Sequence, residues 1–178
     1  SVFVRKFVEQ SLRRHEKNLY IAIDDSPKTI RNILSKALTV PVSEYEQSDF
    51  LRFVDAYSWS TFTLPSDERF AINGMLELNQ LAGIISDASY EIGQTVQQKI
   101  GGCRVIDSIS SLLVNFELPA VQRFISQIAR TAIPFGNVTT LFVFEEGTVA
   151  DTILNNIKYL MDGIIEFANE NGQYKARV

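Results

Sequence analysis

Five carboxylates stand where this chain could do chemistry: Asp24 and Asp25 after the apolar run NLYIAI, Asp107 inside CRVIDSISSLL, and Glu145 and Glu146 after VTTLFVF. A buried strand excludes a carboxylate unless its charge is compensated, so an acid at such a place either ends its strand or serves a cation. In an open parallel sheet the carboxyl ends of the strands gather at one edge, and ligands bind there. Carboxylates converging at that edge repel one another and invite a cation. An oxygen-rich site suits Mg²⁺, which keeps several waters and takes a phosphate. This is the layout of a nucleotide hydrolase.

The elements that must position these acids alternate. The spacing of Val4, Phe7, Val8 and Leu12 predicts an opening helix, and NLYIAI reads as a strand. Ser26 followed by Pro27 is a helix start, a hydroxyl cap before a proline at the first helical position. Its apolar stripe is Ile30, Ile33, Leu34, Ala37 and Leu38. TVPVSEYEQSD reads as a polar loop, and FLRFVDAYSW as a second strand that again stops near an aspartate. Helical material is expected from about Phe70 to Ile100, with Ile84, Ala88, Ile92, Val96 and Ile100 at every fourth place and Gly101 and Gly102 as the stop.

CRVIDSISSLL follows as the third strand. Pro119 opens a helix with Val121, Phe124, Ile125 and Ile128 inward, and VTTLFVF is the fourth strand. A short helix around Thr152 to Met161 precedes a hairpin, with Asn171 and Gly172 at its turn. Strands alternating with helices imply parallel pairing and a sheet covered on both faces, with the closing hairpin adding antiparallel strands at an edge.

Composition narrows the function classes. The 178 residues are 46% hydrophobic and 21% charged, which suits one soluble globular domain. A net charge of −4 gives no global attraction for nucleic acid or anionic lipid. One histidine and one cysteine close to exclude zinc, and Cys103 has no internal partner for a disulfide, so an intracellular, cytoplasmic protein is expected. No apolar run has the length of a membrane span. Because Ser1 already belongs to the helical pattern, an incomplete N-terminus is expected for this single domain of residues 1–178.

RVIDSISSLL, a helix, VTTLFVFEEGT and LMDGIIEF resemble, in order and spacing, the second half of RecA-like ATPases of the KaiC and RadA type, and LYIAIDDSPKTIRNIL resembles the region before it. The resemblance spans nearly the whole chain. It implies a RecA-like core, ATP and Mg²⁺ as ligands, and a homo-oligomeric ring or filament. Asp107 matches the Walker B aspartate, which holds Mg²⁺ through its water shell, with Ser108 beside it at the nucleotide. Asp24 and Asp25 match the acidic pair that polarises the attacking water, where the family has glutamate; the aspartate arm is one methylene shorter. The family's phosphate loop precedes the opening helix, which makes Ser1 its Ser/Thr, in contact with Mg²⁺ and nucleotide. No glycine-rich segment ending in lysine occurs within these residues. The family's basic finger acting in trans lies near or beyond Val178, and neither Lys175 nor Arg177 is assigned to it.

Each residue also has a plainer reading. Aspartates end strands and cap helices in any α/β protein, and the Asp24–Asp25 pair can serve the dipole of the helix opening at Pro27. Glu145 and Glu146 read as a solvated loop, Tyr57, Trp59 and Phe62 as core or interface, and His15 with Arg13, Arg14 and Lys17 as a solvated face. Two functions therefore stand beside each other. One is an ATPase domain with weak or lost hydrolysis; the other is a RecA-like scaffold that binds a protein or nucleic-acid client without hydrolysing ATP.

Overall fold

The computed structural model describes residues 2–61, 66–145, 147–170 and 173–177. They form two compact units, 1–145 and 146–178. In the first, the order is α1 (Val2–Arg13), β1 (Asn18–Ala22), α2 (Pro27–Leu34), α3 (Val42–Gln47), β2 (Leu51–Asp55), α4 (Ser58–Thr61), α5 (Leu78–Glu91), β3 (Cys103–Asp107), α6 (Ile109–Asn115), α7 (Leu118–Arg130) and β4 (Thr139–Phe142). The second holds α8 (Asp151–Lys158), β5 (Glu166–Glu170) and β6 (Gln173–Arg177).

Strands β2, β1, β3 and β4 lie side by side in that order, all parallel. β1 is buried along its whole length, as a strand covered on both faces must be. On one face Val4, Val8 and Leu12 of α1 and Ile30 and Leu34 of α2 pack with Tyr20, Phe53 and Val105. Each such aliphatic side chain taken fully out of water contributes about 1.5–3 kcal/mol. α5 packs on β1 and β2 and against α7. This is the α/β architecture expected, a mainly parallel sheet with helices on both faces.

Arg104 of β3 is fully buried, and its guanidinium donates to the Ile128 carbonyl and Thr131 hydroxyl at the end of α7 and to the Ser89 hydroxyl in the last turn of α5. Burial lowers its pKa to about 10. The carbonyl ends of these helices offer it partial negative charge where no carboxylate does among the described hydrogen bonds.

The structure departs from the sequence reading in four places. The helix expected from Phe70 to Ile100 is confined to α5, because Gly93 takes a φ of 84° directly after its C-cap Ile92; Val96 and Ile100 are exposed. Gly101 and Gly102 stop no helix. They lead into β3 against the Lys17 backbone, and a Cβ on Gly102 would meet the Lys17 carbonyl at 2.2 Å. The expected loop TVPVSEYEQSD contains α3, held by buried Val42 and by Arg31, which bonds Glu46. The hairpin β5–β6 is a two-stranded sheet of its own rather than an addition to the parallel one. Its expected turn at Asn171 and Gly172 lies outside the described residues.

Beyond β2 the segment around Ala71 makes a parallel bridge to Asp55. No helix among the described residues is long and apolar enough to cross a membrane.

Candidate functional site

The carboxyl ends of β1 and β3 are tied together. Ala22 is in register with Asp107, and past the strand the Ile23 and Asp24 amides both donate to the Asp107 carbonyl, at 2.8 and 3.2 Å. Asp24 and Asp107 are thereby neighbours at the edge where the crossover loops leave. Asp107 ends β3, and the peptide to Ser108 is cis. Ser108 is the N-cap residue of α6 but bonds no amide; its Oγ is buried without a partner.

The carboxylate of Asp107 is half-buried, and its Oδ2 accepts a hydrogen bond from the Tyr20 hydroxyl at 2.6 Å. Burial, followed by the negative charge of Asp107, pushes the Tyr20 phenol well above its ordinary range; Asp25 acts in the same direction and Arg5 of α1 opposes it. Asp24 is half-buried with its Oδ1 shielded and unpartnered, whereas Asp25 is exposed. Ser26 caps α2, its hydroxyl accepting from the Thr29 amide at 3.2 Å, with Pro27 next to it as expected.

β4 joins the same edge through its backbone. The Ile109 amide donates to the Val143 carbonyl at 2.9 Å, and the Ser110 hydroxyl accepts from the Glu145 amide at 2.8 Å. The serines after Asp107 thus have distinct places, since Ser110 is a buried tie to the β4 end and Ser108 an unfilled polar atom beside the acid. The Glu145 residue is exposed. Ser1, Glu146 and Phe62 lie outside the described residues.

Among the described residues no three His, Cys, Asp or Glu side chains gather as a metal cage. What the edge offers is one strand-end carboxylate, a second acid with an unpartnered oxygen, and an unpartnered hydroxyl. That donor set suits a hard cation that brings its own waters and phosphate oxygens. Asp24 Oδ1 and Ser108 Oγ are two of the buried unpartnered side-chain atoms among the described residues, and such a ligand would give them partners; a buried polar atom left alone costs about 1–3 kcal/mol.

Two features beside this edge were not read from the sequence. Tyr20 sits in an apolar run and reads as core; its link to Asp107 depends on strand register. Asp55, at the end of β2 and in register with Ala22, is almost fully buried, and its signal was only that the second strand stops at an acid. Its Oδ1 accepts from the Tyr57 and Ser58 amides at 2.9 and 3.0 Å, and its Oδ2 from the Ser58 and Ser66 hydroxyls.

The family model described as "ATPase: KaiC" matches residues 1–178. A UPF0273 protein of Pyrobaculum aerophilum is 23% identical over 93% of this chain and 56% of its own length. A UPF0273 protein of Pyrococcus furiosus is 21% identical over 80% of this chain and 54% of its own. The chain therefore spans about half the length of these curated relatives. The crystal structure of an uncharacterized protein of Pyrococcus horikoshii, in complex with an unknown peptide, superposes with a TM-score of 0.70 at 17% identity, covering 97% of this chain and 74% of that one.

Proposed function

The chain belongs to the KaiC ATPase family, of RecA-like fold, and from that membership we propose that the carboxyl edge of its sheet binds ATP with Mg²⁺ and hydrolyses the nucleotide slowly. The observation that carries this reading is the pair of buried unpartnered oxygens, Asp24 Oδ1 and Ser108 Oγ, on a residue whose amide donates to the Asp107 carbonyl and on the residue that follows Asp107. Bound Mg²⁺ supplies charge neutralisation for the phosphates. Asp107 is the residue that holds its water shell, and Ser108 a contact beside it. Ser1 takes the place of the phosphate-loop hydroxyl. Asp24, with its shielded oxygen, is the better placed of the acidic pair to orient a water, and exposed Asp25 adds negative potential.

One feature tempers the rate: aspartate stands where the family has glutamate, and displacing a catalytic group by 1 Å costs on the order of a hundredfold. The same feature favours a second reading, a RecA-like assembly subunit that binds a protein or nucleic-acid client and does not hydrolyse ATP. The peptide held by the Pyrococcus horikoshii protein is in keeping with a protein client. Both readings include self-association into a ring or filament.

Calorimetric titration of the protein with ATP, with and without Mg²⁺, separates them. Magnesium-dependent binding with measurable phosphate release supports the ATPase. Absence of binding at millimolar ATP removes it, and a strictly monomeric protein across micromolar concentrations in sedimentation counts against both.

A further inference from the structure

β1 is aliphatic around Tyr20, and a phenylalanine there would fill the same space against Phe53, whose ring centroid lies 5.9 Å away. The hydroxyl is the part of this residue that packing does not use. Buried hydroxyls cost free energy unless bonded, and this one is spent on a single acceptor, Asp107 Oδ2 at 2.6 Å, within the range of a charge-assisted O–H···O⁻ bond. Tyr20 pairs with Val105, two residues before Asp107, so the two side chains share one face of the sheet on a diagonal. Only a long side chain spans that diagonal. The ring is braced from behind: the Arg31 guanidinium lies 4.5 Å from the Phe53 centroid and is itself fixed by Glu46 and Glu68.

We propose that Tyr20 is the positioning residue of the cation site, its hydroxyl holding Asp107 in one rotamer by one oxygen so that the other is presented to the water shell of Mg²⁺. This rests on the nucleotide reading of the same edge. Hydrogen-bond partners of metal-binding side chains generally contribute a factor of about 10–100 in metal affinity.

The test compares wild type, Tyr20→Phe, Asp107→Asn and the double variant in ATP titrations at varied Mg²⁺ and in EDTA, with Mn²⁺ water-proton relaxation as a direct readout of the ion. Expected for Tyr20→Phe is a half-saturating Mg²⁺ concentration raised about 10–100-fold, with ATP affinity in EDTA unchanged. In the Asp107→Asn background the same change is expected to add nothing, because the hydroxyl acts through that carboxylate. A Mg²⁺ requirement equal to wild type in Tyr20→Phe overturns the proposal, as does a shift that persists undiminished without Asp107. Should Tyr20→Phe fail to fold, Phe53→Leu, which keeps the hydroxyl and removes its brace, is expected to raise the requirement by a smaller factor, and no change overturns the proposal. Wild type without magnesium-dependent ATP binding is a separate result, ending the nucleotide reading and this proposal with it.

Discussion

Asp55 and Ser66 are eleven residues apart in sequence and joined by a hydrogen bond from the serine hydroxyl to the buried carboxylate. Since the same carboxylate accepts from Tyr57 and Ser58, it fixes both ends of the segment that leaves β2. The backbone adds to this, with the Asp55 amide donating to Phe70 and its carbonyl accepting from Ile72. The far end is further tied by Glu68, bonded to Arg31. One buried acid thereby anchors Tyr57 and Ser58 on one side and Ser66 on the other.

Asp55→Asn is expected to destabilise the fold by about 1.5–3 kcal/mol at neutral pH, the range for hydrogen bonds to a charged group. Burial alone would raise the Asp55 pKa, but the bonds from Ser58, Ser66 and Tyr57 outweigh it, and the net shift is downward. Between that depressed value and the ordinary 3.8 the unfolded chain binds a proton that the native state does not. The stabilisation is therefore complete above the ordinary value and is lost as pH falls through the folded one. Urea denaturation at several pH values is expected to show wild type and variant converging on the acid side; curves that stay parallel contradict the assignment.

Gly102→Ala tests the close approach at the start of β3. At a φ of 102° and with a Cβ 2.2 Å from the Lys17 carbonyl, an alanine has neither the backbone conformation nor the space. The Cys103 amide donates to that same carbonyl at 2.7 Å, so relief of the clash also weakens the bond. A loss of roughly 1–3 kcal/mol is expected, measured by the same denaturation. Gly83→Ala, on α5 with open space around its Cβ, is the control and is expected to be neutral or mildly stabilising.

What could be read from the sequence was whatever local chemistry decides. Ser26 and Pro27 announced α2 because capping and a fixed proline φ act within one turn. Asp24 and Asp107 announced strand ends because an apolar run cannot continue through an unpaired acid. Val96 and Ile100 misled because they keep helical spacing past the point where Gly93 turns the chain, and spacing alone carries no backbone angle. α3 was hidden because tertiary anchors, Arg31 to Glu46 and Arg52 to the Glu46 carbonyl, hold a segment of weak local signal. The Tyr20–Asp107 bond was hidden for a related reason: it depends on β1 and β3 being neighbours in one register, which neither strand encodes by itself.

Cys103 is expected to resist thiol reagents in the native state. Burial is the main cause that raises its thiol to about 11, so little thiolate exists near neutrality, and the side chain is closed off in β3. Reaction with a chromogenic disulfide is expected only at the rate of unfolding, rising with urea across the transition. A fast stoichiometric reaction in buffer contradicts this placement of β3.

Asp24→Glu addresses the hydrolysis rate directly. Asp24 is held by its amide to the Asp107 carbonyl at 3.2 Å, so its backbone is fixed relative to β3 and only the arm length varies. Its Oδ1 is buried and has no hydrogen-bond partner. Adding the methylene is expected to raise phosphate release about tenfold or more, because reach at the reacting centre is worth up to about a hundredfold. ATP affinity is expected to stay the same, since the role proposed for Asp24 is to orient water rather than to bind the nucleotide. Asp25→Glu, on an exposed side chain, is expected to change neither quantity. A rate increase in Asp25→Glu and not in Asp24→Glu reverses the two assignments, while no phosphate release from either variant, at saturating ATP and Mg²⁺, favours the non-hydrolysing assembly subunit.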